Sequence, residues 1–344
     1  MRAHLRTIVV FVLAVALLAW FLRHANLAGV WAEIRRGDIG LVLVAVVMTM
    51  TTYASRSIRW QYLLQGLGPT RFLNVFRATV MGFAASFLLP ARAGEFLRPY
   101  VLARREGLSA TATFATVILE RVFDMVTVLA LFAVFLLLDD PAVVDADPRV
   151  FNAVKLSGLV VAAVTVAVLV VFFVLAGRPE TVGRLSARVE RVLPARLARL
   201  VDGMARTFAE GLSAVRRPQQ LVMVFVWSFP LWLSIAAGAW LVTHAFHIEM
   251  SYVGSFLLTT VLVAGVLVPT PGAVGGFHEA YRIAVTSFFH APNDRAVGAA
   301  IVLHAISFVP VTLLGIVFMA QEGLTLGRMR RLADSATAEE EGAR

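Results

Sequence analysis

The sequence predicts an all-α polytopic membrane protein: about six full spans plus two Pro/Gly-broken helical hairpins that re-enter the bilayer, arranged as an inverted repeat. Three observations predict it. Of 344 residues, 59% are hydrophobic and only 15% charged, with a mean hydropathy of +0.80, whereas a soluble domain carries about 25% charged residues. Apolar runs recur along the whole chain. Two of them are interrupted in the same way, LLPARAGEFLRPY at 88–100 and LVPTPGAVGGFHEAY at 267–281. Aligned on Gly94 and Gly275, Phe96 meets Phe277 and Tyr100 meets Tyr281. Hydrophobic segments broken by Pro and Gly at corresponding places in two halves are a sequence pointer to a membrane transport site.

Behind the basic Arg2–Arg6, the apolar Thr7–Leu22 reads as an uncleaved first helix, because further spans follow. Ile39–Ser55 is a second span. Arg56, Arg59, Arg71 and Arg77 follow it and mark this side as cytoplasmic, with Trp60 beside Arg59 as an interface anchor. Ala78–Leu89 is then about a dozen apolar residues, too few for a hydrocarbon core that needs roughly 20. Pro90 and Gly94 interrupt it, and both flanks are basic (Arg71 and Arg77, Arg104 and Arg105), so it reads as a hairpin entering and leaving on the cytoplasmic side.

Ser109–Leu138 is a long helix followed by an acidic outer loop, and Val150–Ala176 crosses back. The arginine-rich stretch 177–218 is a cytoplasmic linker. Its Leu197, Val201, Met204, Phe208, Leu212 and Val215 recur at helical spacing, as an amphipathic helix on the membrane surface or packed on the protein itself. Leu221–Phe246 crosses outward. Tyr252–Val268 enters from outside and breaks at Pro269, Pro271, Gly272, Gly275 and Gly276. Phe277–Phe289 returns, and Val297–Ala320 crosses inward. Residues 1–327 thus form one transmembrane domain, and 328–344 a disordered cytoplasmic tail. Repeat B (about 221–320) is repeat A (about 39–138) turned over, which puts a site near the midplane between them. Both termini face the cytoplasm of an inner membrane by the positive-inside rule.

Candidate site residues are charges where charge is costly. Glu120, Arg121 and Asp124 lie inside the helix 109–138, Glu120 about 16 Å along it from Ser109 at ~1.5 Å per residue. Glu120 and Asp124 share a helix face. Ionisable groups at such depth cost about 2.5–3.5 kcal/mol each and mark a pathway or a paired network. Arg92, Glu95 and Arg98 follow the first break, and Glu279 and Arg282 the second. Two readings stay open for the first set: Glu120, Arg121 and Asp124 pair with Arg92, Glu95 and Arg98 and staple that hairpin, or they line a cavity for a polar headgroup, with Arg92 and Arg98 on phosphate and Glu95, Glu120 and Asp124 balancing them or carrying protons. Glu279 and Arg282 belong to the site or are interfacial charge near the outer leaflet. His278 is a weaker candidate, and His304 reads as hydrogen-bonded packing.

The net charge of +9 comes almost wholly from arginine, since Lys155 is the only lysine. In a membrane protein it points away from nucleic acid; it suits anionic headgroups, and a codon bias toward arginine explains it equally well. With no cysteine, thiolate chemistry and cysteine metal sites are excluded. No HExxH, GxSxG or Walker A motif is present, so no catalytic residue, metal or cofactor is assigned.

The pieces RSIRW (56–60), LLPARAGEFLRPYVLARREGLS (88–109), LERVFDM (119–125) and VPTPGAVGGFHEA (268–280) resemble the flippase-like membrane family related to the transmembrane region of lysylphosphatidylglycerol synthases. The resemblance implies a multi-pass lipid translocase or lipid-handling protein of the inner membrane. No aminoacyltransferase domain accompanies it here, so lipid synthesis is not implied. Relatives without that domain are associated with polyprenyl-linked and hopanoid lipids, which leaves the lipid open. Three functions are carried forward: a lipid flippase or transporter; an integral-membrane transferase acting on a lipid phosphate, with Glu120 or Asp124 as base; and an accessory scaffold for envelope-synthesis enzymes. A homo-oligomer is compatible with each.

Overall fold

The computed structural model describes residues 18–23, 25–89, 93–138, 217–267 and 270–322, and isolated helical positions at 12, 152, 156, 158–160, 163 and 167. Every regular element among the described residues is helical. α1 (Leu27–Arg36) starts at Asn26, whose side chain accepts from the N–H groups of Ala28 and Gly29. α2 (Ile39–Leu64) starts at Asp38, which caps Gly40 and Leu41 in the same way. Such caps satisfy amide groups that the first helical turn leaves without partners. α3 (Phe72–Leu88) and α4 (Gly94–Glu106) form the first hairpin. α4 ends on Gly107, whose φ of 67° is the left-handed conformation that favours glycine. α5 (Ala110–Leu138) follows.

In the second half, α6 (Pro218–Ala245) opens with proline in its first turn, where no amide partner is needed. α7 (Gly254–Val266), a short 3-10 turn (Pro271–Ala273) and α8 (Gly276–Phe288) form the second hairpin. α9 (Asn293–Gln321) closes the described chain.

Among the described residues, four helices are long and apolar enough to cross a membrane: α2, α5, α6 and α9. α3 and α7 are apolar but shorter. The expected first span at 7–22 and the span at 150–176 fall for the most part outside the described residues, and the linker 177–218 and the tail almost wholly so.

Two expectations need correction. The second span does not stop at Ser55; α2 continues to Leu64. Arg56 and Arg59 are therefore helical and buried, not part of a cytoplasmic loop, and Trp60 is fully buried rather than an interface anchor. Hydropathy ends a span at its first arginine, whereas a helix continues wherever neighbouring helices supply partners for the charge. The first arm of hairpin one also begins earlier, at Phe72 rather than Ala78.

α2 and α6 lie side by side over most of their length. α3 packs on α9, and α7 packs on α5, so each half receives the first hairpin arm of the other. Glycines make the closest approaches. A Cβ on Gly94 would overlap the carbonyl oxygen of Gly82, and one on Gly265 would come within 2.6 Å of the carbonyl of Gly276. Where α3 meets α9, a Cβ on Gly315 would overlap that of Ala84. Membrane helices use such small residues because dispersion contacts, rather than the hydrophobic effect, hold them together. Outward-facing apolar side chains recur at helical spacing, as in Leu43 and Val47, Val222 and Val226, and Val309, Leu313 and Ile316. These stripes suit contact with lipid chains.

Candidate functional site

Helical spacing on α2 puts Thr52, Tyr53, Arg56, Arg59, Trp60 and Leu63 on one buried face. Opposite it, α5 presents Glu120 and Asp124, 0% and 1% exposed. The two carboxylates are held by guanidinium groups from three helices. Arg56 Nη1 lies 3.1 Å from Glu120 Oε1 and 3.4 Å from Asp124 Oδ2. Arg59 reaches Glu120 Oε1 with Nη2 (3.0 Å) and Asp124 Oδ1 with Nη1 (2.8 Å). Arg98, from α4, donates to Glu120 Oε2 (3.0 Å). Arg121 lies 3.2 Å from Asp124 Oδ2. α6 completes the network, with Trp232 Nε1 donating to Asp124 Oδ1 (3.0 Å) and Ser228 Oγ accepting from Arg59 Nη1 (3.0 Å). The Arg98 guanidinium stacks 3.8 Å from the Trp60 ring centroid, a cation–π contact that gains strength away from water.

Four guanidinium groups therefore surround two carboxylates. Glu95, whose charge attracts Arg121, brings a third. Buried charge is tolerated only when paired, and here cations outnumber anions. Several donors also lack a hydrogen-bond partner, among them Nε and Nη2 of Arg98 and Nε of Arg121.

Arg98 and Arg121 line a cavity of about 130 Å³. Gly82, Phe83, Ser86, Phe87, Gly94 and Glu95 form its wall from hairpin one, and Val266, Thr270 and Ala273 its wall from hairpin two. Val117 of α5 and Phe308 of α9 complete it. The buried Thr270 Oγ1 has no partner either. The cavity thus joins the two broken segments and is lined by both arginines and phenylalanines. An arginine fork of this kind suits the paired oxygens of a phosphate or carboxylate.

Of the sequence candidates, Glu95, Arg98, Glu120, Arg121 and Asp124 come together here, and Gly94 lets hairpin one close beside them. Gly272 and Gly275 adopt φ of 59° and 87° at the second break, and Gly276 begins α8. Pro271 opens the 3-10 turn. Arg92, Pro90 and Pro269 lie outside the described residues. Glu279 and Arg282 pair with each other (2.8 Å), with Arg282 also bonded to Asn293 (3.3 Å) at the start of α9; neither lines the cavity. Phe96 and Tyr100 are exposed, whereas Phe277 and Tyr281 are buried, so the aligned aromatics occupy unlike environments. Arg56, Arg59 and Trp232 belong to the network and were not among the candidates. The periodicity at 52, 53, 56, 59, 60 and 63 was the signal for the first two; Trp232 left none. No group of three or more His, Cys, Asp or Glu suited to a metal occurs among the described residues.

Four helices able to cross a membrane, three of which build a buried arginine–carboxylate network, define a multi-pass membrane protein. The chain belongs to the family described as the lysylphosphatidylglycerol synthase TM region, which matches residues 7–315. It is 27% identical over 332 residues to the glycosyltransferase AglD of Haloferax volcanii, a match that covers 88% of this chain and 52% of that protein. The chain therefore spans about half the length of that relative. It is 22% identical over 294 residues to the UPF0104 membrane protein MJ1595 of Methanocaldococcus jannaschii, over 81% of this chain and 83% of that protein.

Proposed function

We propose that the protein moves a lipid with an anionic headgroup across the inner membrane. The headgroup enters the cavity between the hairpins while the acyl chains stay in the bilayer. The observation that carries this reading is the convergence of Arg98 and Arg121, which hold guanidinium donors without partners, at a cavity lined by both broken segments. Glu120 and Asp124 hold the arginines in place, and the anion supplies the remaining acceptors. Both termini lie in the cytoplasm.

The two halves, α2–α5 and α6–α9, form an inverted repeat in this reading. The shared order supports it: helices of 26, 17, 13 and 29 residues are followed by helices of 28, 13, 13 and 29. The reciprocal packing of α3 on α9 and α7 on α5 supports it too. Repeats of this kind place a substrate at their interface and rock around it.

Reconstitution into vesicles with a fluorescent anionic phospholipid tests the reading. Arg98→Gln removes a donor to a charged group, worth about 1.5–3 kcal/mol, so flipping slows by roughly 10- to 150-fold. An unchanged rate in a folded Arg98→Gln protein removes the assignment. The relative named a glycosyltransferase favours a second reading, in which the same cavity holds a lipid phosphate for group transfer. Product formation by the purified protein, without lipid movement, would select it.

A further inference from the structure

The second break is held by two imidazoles. His304, on α9, lies with Nε2 2.7 Å from the carbonyl oxygen of Gly272. A carbonyl only accepts, so Nε2 carries the hydrogen and donates. His278, in the first turn of α8, takes the opposite role. The Gly275 N–H donates to its Nδ1 at 3.3 Å, which requires a lone pair on Nδ1. The two rings lie against each other, 4.4 Å between centroids and tilted by 32°. The backbone they hold is strained at Ala273. Gly272, Ala273 and Gly275 all have positive φ, 59°, 56° and 87°, and a left-handed alanine costs about 1–2 kcal/mol. Thr270 and Ala273, in the same segment, form one wall of the cavity.

We propose that His278 is a proton-binding site built into the second break, and that a proton there releases the start of α8. The proton adds to Nδ1 and consumes the lone pair that accepts from Gly275. Two N–H groups then face each other, the cap is lost, and the strained segment relaxes away from the cavity. His304 keeps its bond to Gly272 in either state of His278. Lying this close, the two rings hold one proton rather than two, since like charges at that separation repel.

The surroundings leave His278 as the responsive group. α7, packed against α8, has no titratable side chain. On α8, Glu279 and Arg282 pair with each other, and the Tyr281 hydroxyl bonds Thr243 Oγ1 (2.9 Å). On α9, Asp294 accepts from the Asn26 N–H and Arg295 pairs with Glu33, both at the end away from the break. Phe21 lies 5.2 Å from the His278 ring. Arg56 and Arg59 are held by Glu120 and Asp124, and Arg77 lies over Phe318.

The inference rests on the transport reading only for the purpose of the release, so its test avoids transport. The chain has no cysteine, and Thr270→Cys places a single thiol on the cavity wall. Labelling by a water-soluble maleimide is followed in the full chain from about pH 8 to about pH 5.5, the range in which imidazoles titrate. Rates are divided by those of the same protein carrying His278→Asn, which cancels the thiol's own titration. The asparagine oxygen stands where Nδ1 accepts and takes up no proton. The ratio should rise about tenfold on acidification, the change that 1.4 kcal/mol gives. His304→Gln, which keeps an N–H donor toward Gly272, should retain the rise. A flat ratio, or a rise lost in His304→Gln, overturns the proposal. A rise in a protein that moves no lipid supports the proton site and removes the transport reading.

Discussion

In the first hairpin, Gly82 and Gly94 let α3 and α4 touch backbone to backbone; in the second, Gly265 and Gly276 do the same for α7 and α8. The contents differ. Hairpin one delivers Arg98 and Glu95 toward the carboxylates of α5, and its neighbourhood is ionic. Hairpin two delivers His278 and Phe277, and its neighbourhood consists of closely packed rings, tilted or edge-on to one another, with two backbone hydrogen bonds. The same steric device thus serves two purposes. One side offers fixed charge to a ligand, and the other offers a backbone that neutral hydrogen bonds hold in an unfavourable conformation. Fixed charge is costly to rearrange, whereas one neutral hydrogen bond is cheap to break.

The largest expected effect breaks the ionic side. Glu120→Leu leaves Arg98 and Arg59 short of a buried counter-charge and should cost about 3–5 kcal/mol. Thermal unfolding in detergent, read by tryptophan fluorescence, should show a much lower midpoint. A midpoint equal to the parent's would mean that water already neutralises the site.

Next, the two glycine crossings can be set against each other. Gly94→Ala drives a methyl group into the carbonyl of Gly82, which is backbone and cannot swing aside. It should destabilise by about 2–3 kcal/mol, the upper part of the range for overpacking. Gly265→Ala meets the Gly276 backbone less severely, with Ala280 beside it, and should cost about 1–2 kcal/mol. Equal losses in the same unfolding assay would show that both hairpins close with the same tightness.

Trp232→Phe tests whether α6 secures the ionic side from the other half. It deletes one donor to Asp124 but leaves Arg59 in place, so the loss should be about 1–2 kcal/mol. No change would mean that the arginines alone position Asp124.

The smallest effect is expected at Glu279→Gln. That pair is partly exposed and three residues apart on α8, and its removal should shift stability by no more than about 0.5 kcal/mol. A flipping rate that collapses with Glu279→Gln would instead bring the pair into the transport site.

Much of the architecture was legible beforehand. The long helix ending at Leu138, the broken segments near Gly94 and Gly275, and the span from about 221 to 246 all follow from apolar run length and from Pro and Gly, which act locally on the backbone. The carboxylates at 120 and 124 stood out because charge inside an apolar run is expensive. Arg56 and Arg59 were misplaced for the complementary reason. At the end of a run, a buried arginine and a loop arginine look alike, and only the partner distinguishes them. Trp232 gave no sign, because a tryptophan in a span is ordinary until a carboxylate is seen beside its N–H.

The sequence by itself determined a multi-pass helical membrane protein with two Pro/Gly interruptions and charge within its spans, since hydropathy, chain length and backbone permissiveness are properties of consecutive residues. Tertiary structure alone decided that Arg56, Arg59, Arg98 and Arg121 converge on one carboxylate pair, that the two breaks share a cavity, and that the His278 and His304 rings meet. Each of these joins helices distant in sequence, and a buried charge or hydrogen bond is defined by what stands opposite it.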